Sequence, residues 1–322
     1  MMNVRDRFFH TVYENVRNGA DIVIVSSDLG APGLDDFRKD YPHRFVNTGI
    51  AEQNAIAAAS GLALAGKTAI AYGLNPFSVT RTFDHIRNLM ASLQIPFTVA
   101  ALKAGTCTAQ AGFSHMAAEN ISLLRTLHNI RIINPSDETI AQKAAAEVYE
   151  KPQPRYIQFD PFISGRLYTE SEADFKKGFA VSGADSGTVI VSYGIWAYEI
   201  KKEIEKKHLP AKLIDCFALP ADTDALLDEI KGCRKIITVE DGTDSGGIGS
   251  MMLEIMNDYG VTIPLRRMSL RFRNGYPSVL TDREQIFKEE NLTMDALRQE
   301  IESQRVLENQ IIDTLKKETE AR

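Results

Sequence analysis

The order in which apolar patterns follow one another constrains the fold of this chain more than any other feature of its sequence. Short runs rich in β-branched residues, such as DIVIVSSD, TAIAYGL and TVIVSYG, alternate with longer stretches of helical periodicity. Strands that alternate with helices in this way form right-handed βαβ units and a mostly parallel sheet that helices cover on both faces. The sequence therefore predicts an α/β fold.

The alternation is interrupted once, which predicts two domains. Between residues 161 and 187 the chain is rich in proline, glycine, serine and charged residues, the composition of a linker. We assign residues 1–165 to the first domain, 166–187 to the linker, and 188–322 to a second domain that ends in a charged helical tail. Each domain is expected to contain a doubly covered, mostly parallel sheet, and 322 residues are enough for two such units.

The tail after Thr281 carries apolar residues at helical spacing among its charges. This pattern predicts helices that pack one face against the protein, with a partner-binding helix as the less common alternative. The apolar positions are Ile286, Phe287, Leu292, Leu297, Ile301, Leu307, Ile311, Ile312 and Leu315.

Composition argues against some classes of partner. The net charge of -6 and the pI near 5.6 disfavour a non-specific grip on nucleic acid or on an anionic membrane surface, because both need a basic face. No apolar run approaches the roughly 18 residues of a membrane-spanning helix. The cysteines Cys107, Cys216 and Cys233 form no CxxC motif. This spacing favours buried thiols in a reducing cytoplasm over disulfides or a zinc site.

A carboxylate stands at the mouth of an apolar helix. In NTGIAEQNAIAAASGLALAG, Glu52 follows a predicted strand and lies in the first turn of the next helix. This is the carboxyl edge of a parallel sheet, where α/β proteins bind ligands. A first-turn acid that only complements the helix dipole is the alternative. Because Gly49, Ala51 and Ala55 allow close helix packing, we expect a tight, partly dry site in which a carboxyl group is available for proton exchange.

The residues around Glu52 resemble those of the transketolase family. The stretch GIAEQNAIAAASGLALAGKTAIAYG, followed by NPFSVTRTFDHIRN, is similar to the pyrimidine-binding domain of transketolases. The stretches GFSHMAAENISLLRTLHNIRIINPSD and TVEDGTDSGGIGS resemble the family's substrate loop and C-terminal domain. The resemblance covers nearly the whole chain in the family's order. It identifies the chain as a member of the thiamine-diphosphate superfamily.

The resemblance implies roles for four residues of the first domain. Glu52 would hydrogen-bond the N1′ atom of the cofactor's aminopyrimidine ring and promote its imino form. Phe77 would pack its ring against the pyrimidine, with Ile50 also at the cofactor. His115 would lie near the first hydroxyl of the donor sugar and take part in catalysis.

Two other features each admit two interpretations. Arg81, in the helix after Phe77, either orients the cofactor site or pairs with Asp84. The glycine turn in GTDSGGIG lies between a strand and a helix, but its spacing is not GxGxxG. We interpret it as a packing turn of the C-terminal domain rather than a nucleotide site.

One family motif is missing. Thiamine-diphosphate enzymes hold the diphosphate and its Mg²⁺ with a GDG motif followed by an asparagine, and this chain has no GDG. We therefore expect no metal ligands in this chain and predict the C-terminal half of a split transketolase. A separate N-terminal subunit would supply the diphosphate-binding domain and Mg²⁺ site, in a heterotetramer of two chains of each kind.

The part of the chain that would contact the sugar departs from the family pattern. Typical transketolases read DGPTH where this chain reads AGFSH, so Ala111 replaces an aspartate that contacts a donor hydroxyl. Other family side chains are also replaced: a phosphate-binding histidine by Lys103, a serine by Pro32, and a phosphate-clamping arginine by Gln158 and Asp160.

These replacements predict a non-standard sugar. An arginine fork is the usual grip on a phosphate, and an aspartate in its place would repel one. We expect a modified sugar or one with a differently anchored anionic group. The substrate-binding candidates are Lys103, Gln110, Ser114, His115 and Gln158. Arg155 and Arg166 are further cations that either hold an anion or are ordinary surface charges.

The predicted activity is transfer of a two-carbon ketol unit from a ketose to an aldose, with thiamine diphosphate as cofactor. One alternative is another carboligase, such as a deoxyxylulose-phosphate synthase-like enzyme or the beta subunit of a 2-oxo-acid dehydrogenase. A second alternative is a non-catalytic scaffold that has kept the fold. The presence of Glu52, Phe77 and His115 together argues against the scaffold.

Overall fold

Two mixed sheets organise the chain, as the alternation predicts. The computed structural model of the protein describes residues 2–273, 275–277 and 281–302. The strands are β1 (Ile22–Ser26), β2 (Phe45–Asn47), β3 (Thr68–Leu74), β4 (Thr98–Leu102), β5 (Arg131–Ile133), β6 (Arg155–Phe159), β7 (Ala180–Gly183), β8 (Thr188–Ser192), β9 (Lys212–Asp215), β10 (Ala218–Leu219), β11 (Lys235–Thr243) and β12 (Leu265–Leu270).

Helices cover both sheets. They are α1 (Val4–Arg17), α2 (Asp35–Asp40), α3 (Glu52–Leu64), α4 (Phe83–His85), α5 (Asn120–Arg125), α6 (Glu138–Glu150), α7 (Gly194–Lys207), α8 (Thr223–Ile230), α9 (Ile248–Asp258) and α10 (Arg283–Glu289). A π-helical segment over Ile86–Ser92 continues α4. A further helix begins at residue 294.

The first sheet has the order β10-β5-β6-β4-β3-β1-β2, and the second has the order β12-β11-β8-β9-β7. All pairings are parallel except that of β10 with β5 and that of β7 with β9. β7 lies within the predicted linker 166–187, so the second sheet takes a strand from that segment. β10 follows the second domain's β9 and joins the first sheet. Neither strand is long enough to produce a readable alternation.

The sheet cores explain why the strands read as continuous apolar runs. All five residues of β1, and all five of β8, are buried, as expected for parallel strands covered on both faces. One apolar cluster continues from the first sheet into the second, and contains Ile132 and Tyr156 as well as Leu219, Ile230 and Met251. The two domains therefore share an apolar interface.

The charged tail packs on the second domain as far as the structure describes it. Ile286, Leu292, Leu297 and Ile301 are buried in a cluster with Trp196 of α7. Phe287 packs partly buried against the same cluster. The remaining predicted positions, Leu307, Ile311, Ile312 and Leu315, lie outside the described residues. Among the helices that are described, none has both the length and the apolarity needed to cross a membrane.

Candidate active site

The carboxyl ends of parallel strands bring the predicted site residues to one edge of the first sheet. Glu52 follows β2, Phe77 and Arg81 follow β3, and the loop that carries His115 follows β4. Gln158 is near the end of β6, the neighbour of β4. Because these strands run in one direction, residues far apart in sequence meet at the same edge.

Glu52 is the buried acid of this edge. It is 4% exposed and begins α3, whose N-cap residue Ala51 makes no side-chain capping bond. A negative charge in this first turn is stabilised by the unpaired N–H groups of the helix start. The helix packs closely because its buried face is formed by small side chains and one isoleucine: Ala55, Ile56, Ala59 and Ser60.

Arg81 links Glu52 to an aromatic pair. Its Nη1 atom donates to Oε2 of Glu52 at 2.8 Å, and its guanidinium carbon lies 4.4 Å from the centre of the Phe77 ring. The Phe77 ring meets the His115 ring edge-on, with centroids 5.1 Å apart. Asp84, the alternative partner of Arg81, accepts instead from Asn88. The four residues from Glu52 to His115 thus form a continuous row of contacts.

This row suits a flat ring with a nitrogen that can share a proton with a carboxyl group, such as the aminopyrimidine that the resemblance implies. Within the described residues Arg81 is the sole hydrogen-bond partner of the Glu52 carboxylate, so Oε1 can accept from a ligand. Phe77 offers a half-buried aromatic ring. Ile50 is 76% exposed just before α3 and offers an apolar contact. The residues present therefore fit the pyrimidine half of thiamine diphosphate.

A metal site would need several ligand side chains close together. Among the described residues, no group of three or more His, Cys, Asp or Glu side chains converges on a point where an ion could be held.

The loop after β4 carries four of the five sugar-binding candidates, including His115. Lys103 is half-buried, and in the described part of the chain its ammonium group has no hydrogen bond or ion pair. Gln110 and Ser114 are exposed. The Oγ atom of Ser114 lies 3.0 Å from Nδ1 of His115, and Thr108 donates its hydroxyl to the His115 carbonyl. These two bonds fix the orientation of the histidine.

Gln158 belongs to a buried polar network. It is 5% exposed, and its Oε1 atom accepts from the Tyr156 hydroxyl at 3.0 Å. The same hydroxyl contacts Oδ1 of Asn75 at 2.9 Å and Nδ2 of Asn120 at 3.0 Å. Burial raises the pKa of the Tyr156 phenol, so it stays neutral and able to donate. The network connects Gln158 with the turn that carries Phe77.

The structure corrects the expectation that Asp160 would present a repelling charge to a phosphate. Asp160 is 3% exposed, and its Oδ2 atom accepts from Nη2 of Arg283 at 2.5 Å. The charge is therefore paired inside the protein rather than open to a ligand.

The two additional cations, Arg155 and Arg166, lie apart from these residues. Arg155 begins β6, at the amino edge of the sheet and thus opposite Glu52, and it is fully buried rather than a surface charge. Burial lowers its pKa to about 10. Arg166 is exposed and donates to Gln142 of α6 at 3.0 Å. Neither completes an anion site at the carboxyl edge.

Several buried polar residues beside the site could not be selected from the sequence. Asn75, Asn120 and Tyr156 belong to three separate segments, and Arg283 comes from the tail. Arg283 also donates to Asp241 of β11. Asp241 could have been indicated by its place in the acidic pair at the end of the buried run IITVED. The others look like ordinary polar residues until the fold brings them together.

Comparisons with known proteins agree with the fold. Residues 1–160 match the model of the transketolase pyrimidine binding domain, and residues 181–288 match that of the transketolase C-terminal domain. An apulose-4-phosphate transketolase subunit of Actinobacillus succinogenes is 26% identical, over 88% of this chain and 92% of the relative.

A longer enzyme and a solved structure match as well. The 1-deoxy-D-xylulose-5-phosphate synthase of Halothermothrix orenii is 30% identical over 74% of this chain, which spans only 38% of the synthase. A solved split gene transketolase, an inactive beta4 tetramer, shares the fold with a TM-score of 0.80 and 24% identity, covering 94% of this chain and 98% of the solved one. With both of its domains matched in order, the chain belongs to the transketolase family.

Proposed function

We propose that this chain is one subunit of a split, thiamine-diphosphate-dependent transketolase that moves a two-carbon ketol unit from a ketose to an aldose. The observation that carries the proposal is the row of contacts from Glu52 through Arg81 and Phe77 to His115, built from the ends of three different strands. A fold-only scaffold has no need to keep a buried acid, a cation, an aromatic ring and an imidazole in line.

Each residue of the row has a chemical task. Thiamine diphosphate, when bound, supplies the carbon nucleophile that ketol transfer requires. Glu52 shares a proton with the pyrimidine N1′ atom, because a carboxyl group within hydrogen-bond reach can act as the general acid or base. Arg81 keeps the carboxylate oriented, and Phe77 packs the ring. His115, fixed by Ser114 and Thr108, meets the sugar on the far side of Phe77 from Glu52.

A second subunit would complete the cofactor site. The chain lacks the GDG motif, and the relative from Actinobacillus succinogenes is itself named as one subunit of a transketolase. We place the diphosphate-binding domain and Mg²⁺ on an N-terminal partner, with two chains of each kind in the assembly. The buried, unpaired thiols of Cys107, Cys216 and Cys233 are compatible with a reducing cytoplasm.

The substrate we favour is a phosphorylated sugar of unusual shape. Apulose-4-phosphate is the substrate in the name of the relative from Actinobacillus succinogenes. Lys103 is the cation of the loop with no partner among the described residues, so it can bind a phosphate as a point charge in place of the missing arginine. Ala111 leaves room where the family has an aspartate.

The proposal is tested by assembling the chain with an N-terminal subunit that carries the GDG motif and measuring thiamine-diphosphate binding and ketol transfer. Glu52→Gln should reduce kcat by at least roughly a thousandfold, because the proton relay is lost. Glu138→Gln is the matched control. Glu138 is also a buried first-turn acid, but it pairs with Arg7, at 2.7 Å, rather than with Arg81. Near-normal turnover of Glu52→Gln would refute the proposal.

A second candidate function has its own support. The similarity to 1-deoxy-D-xylulose-5-phosphate synthase extends over 74% of the chain. That reaction class would use the same Glu52 chemistry with a 2-oxo-acid donor. Release of carbon dioxide from pyruvate by the assembled enzyme would favour this candidate. Exchange of chain length between sugars without gas release would favour ketol transfer.

A further inference from the structure

A cluster of charges is buried where the two domains meet. Arg283 of α10 donates Nη2 to Oδ2 of Asp160 at 2.5 Å and to Oδ2 of Asp241 at 2.7 Å. Asp160 directly follows β6 of the first domain, and Asp241 lies in β11 of the second. The carboxylates are 3% and 6% exposed. We call Arg283, Asp160 and Asp241 the interdomain ion cluster.

The interdomain ion cluster holds the start of the loop that carries His115. Both carboxylate oxygens of Asp241 accept from the backbone N–H of Thr106, at 3.0 and 3.2 Å, and Oδ1 also accepts from the Thr106 hydroxyl at 2.9 Å. Nε of Arg283 lies 3.3 Å from that hydroxyl. The second domain thus binds Thr106 of the first domain through both the backbone and the side chain of that residue.

Two further contacts connect Thr106 with His115 through the loop. Gly105 and Ala117 form a bridge that closes the base of the loop, with the Ala117 N–H donating to the Gly105 carbonyl at 2.8 Å. Thr108 donates to the carbonyl of His115. The loop residues between these points are hydrogen-bonded to one another through their backbones. A displacement of Thr106 would therefore move the imidazole relative to Phe77.

Stability alone does not account for these charges. Burial raises the pKa of Asp241, which means that its charged form is costly to bury. Burial also tends to lower the pKa of Arg283, but the two carboxylates outweigh this and raise it. Buried ion pairs are often no more stabilising than apolar residues of the same volume, and the best reason to keep one is to specify a single arrangement.

We infer that Asp241 and Arg283 are positioning residues for His115, and that the second domain sets the sugar-binding geometry through them. The inference rests on the proposed function for the role of His115. It assigns no part in cofactor binding to the interdomain ion cluster, because neither Asp241 nor Arg283 contacts Glu52, Arg81 or Phe77 in the described structure.

The test uses Thr106→Val and Arg283→Lys in the assembled enzyme. Thr106→Val removes the hydroxyl bonds but keeps the shape and the backbone N–H, and Arg283→Lys keeps the charge but loses the bond from Nε. Arg298→Gln is the matched control, because Arg298 fastens the same tail to Glu203 of α7 without reaching the loop. For each variant we would measure KM and kcat for the ketose, the Kd for thiamine diphosphate, and the thermal midpoint.

We expect KM for the ketose to rise about tenfold in Thr106→Val, as for a lost hydrogen bond to a charged group, with Kd for thiamine diphosphate changed less than about twofold. Arg283→Lys should show a smaller rise, because it partly restores the pairing. An unchanged KM, or a loss that appears equally in Arg298→Gln, would overturn the inference.

Hydrogen exchange separates this inference from the proposed function. In the full chain without substrate, Thr106→Val should accelerate exchange at residues 108–117 at least about threefold and leave α3 unchanged. If the unmodified assembly showed no ketol transfer, the proposed function would fail, yet faster exchange confined to the loop would still support positioning by the second domain. Exchange that rose uniformly along the chain would overturn it.

Discussion

At the carboxyl edge of the first sheet, the residues around Glu52 and those around Gln158 lie a few strands apart but are enclosed differently. Beside Glu52, Ile50 is 76% exposed and the Arg81 side chain 45% exposed. At the other end, Gln158 and Asp160 are 5% and 3% exposed, and the second domain covers them. Among the described residues, the chain therefore covers the end that we propose for the sugar, the closed end, and leaves exposed the end that we propose for the pyrimidine, the open end.

The difference indicates which end needs a partner. Ile50 and the half-buried Phe77 ring leave apolar surface in water at this edge, which a bound ligand or partner subunit would cover. At the other end, Gln158 and Asp160 both have hydrogen-bond partners within the chain. In the same buried network, Nδ2 of Asn75 and Oδ1 of Asn120 have no partner among the described residues. We therefore expect changes at the open end to affect cofactor retention, and changes at the closed end to affect sugar selection.

Phe77→Ala gives the largest expected effect after loss of Glu52. If the Phe77 ring packs on the pyrimidine as we propose, its removal abolishes that packing as well as the contacts with Arg81 and His115. The Kd for thiamine diphosphate in the assembled enzyme should then rise roughly fiftyfold. Isothermal titration at fixed Mg²⁺ measures this. Phe83→Ala, at a half-buried phenylalanine of the following helix, should change it little. Equal losses in both variants would show that Phe77 acts only in folding.

Arg81→Met should lower kcat about tenfold, a modest effect because the arginine is half-exposed and its ion pair is screened. The Glu52 carboxylate would lose its sole described partner and its orientation. Arg81→Lys should recover part of the rate. Arg87→Met, at an exposed arginine of the π-helical segment that continues α4, is the control. Steady-state rates at saturating sugar decide the matter. An unchanged rate in Arg81→Met would mean that Arg81 is an ordinary surface charge with no role in the reaction.

The open end was far easier to predict from sequence than the closed one. Glu52 was indicated by its place after a predicted strand, at the edge where parallel strands end. Phe77 and His115 were indicated by the resemblance to the transketolase family. Asp160 was misjudged because its partner, Arg283, comes from a tail helix that periodicity assigns only to packing. Charge pairing across domains leaves no trace in local pattern. The two-residue strand β10 and the burial of Arg155 likewise depend on contacts between segments that are far apart in sequence, so they could not be foreseen.

Lys103→Met tests the anion specificity of the closed end. If Lys103 binds the sugar phosphate, KM for a phosphorylated ketose should rise about fivefold, while KM for the unphosphorylated analogue stays the same. The ratio of the two KM values is the informative quantity, because a general disturbance of the loop would raise both. Lys176→Met, at an exposed lysine between the domains, is the control. A parallel rise for both sugars would remove Lys103 from the phosphate site.

Glu240→Gln tests whether two neighbouring buried acids, Glu240 and Asp241 of β11, have different roles. It is the variant with the smallest expected effect on activity. Glu240 accepts from the N–H groups of Ile248 and Gly249 at the start of α9 and does not contact the loop, so ketol transfer should be nearly unaffected. Burial raises its pKa from 4.5 to about 7, outweighing the lowering effect of those two N–H groups.

The sign of the pH effect follows from that shift. Between pH 4.5 and 7 the folded protein keeps the Glu240 proton while the unfolded chain releases it. The contribution to the free energy of unfolding is therefore complete below pH 4.5 and falls by about 1–3 kcal/mol as pH rises to 7. Urea unfolding at several pH values should show this fall in the unmodified chain and a shallower one in Glu240→Gln. Equal slopes would mean that Glu240 is already ionised in the folded protein, its charge held by the two N–H groups of α9.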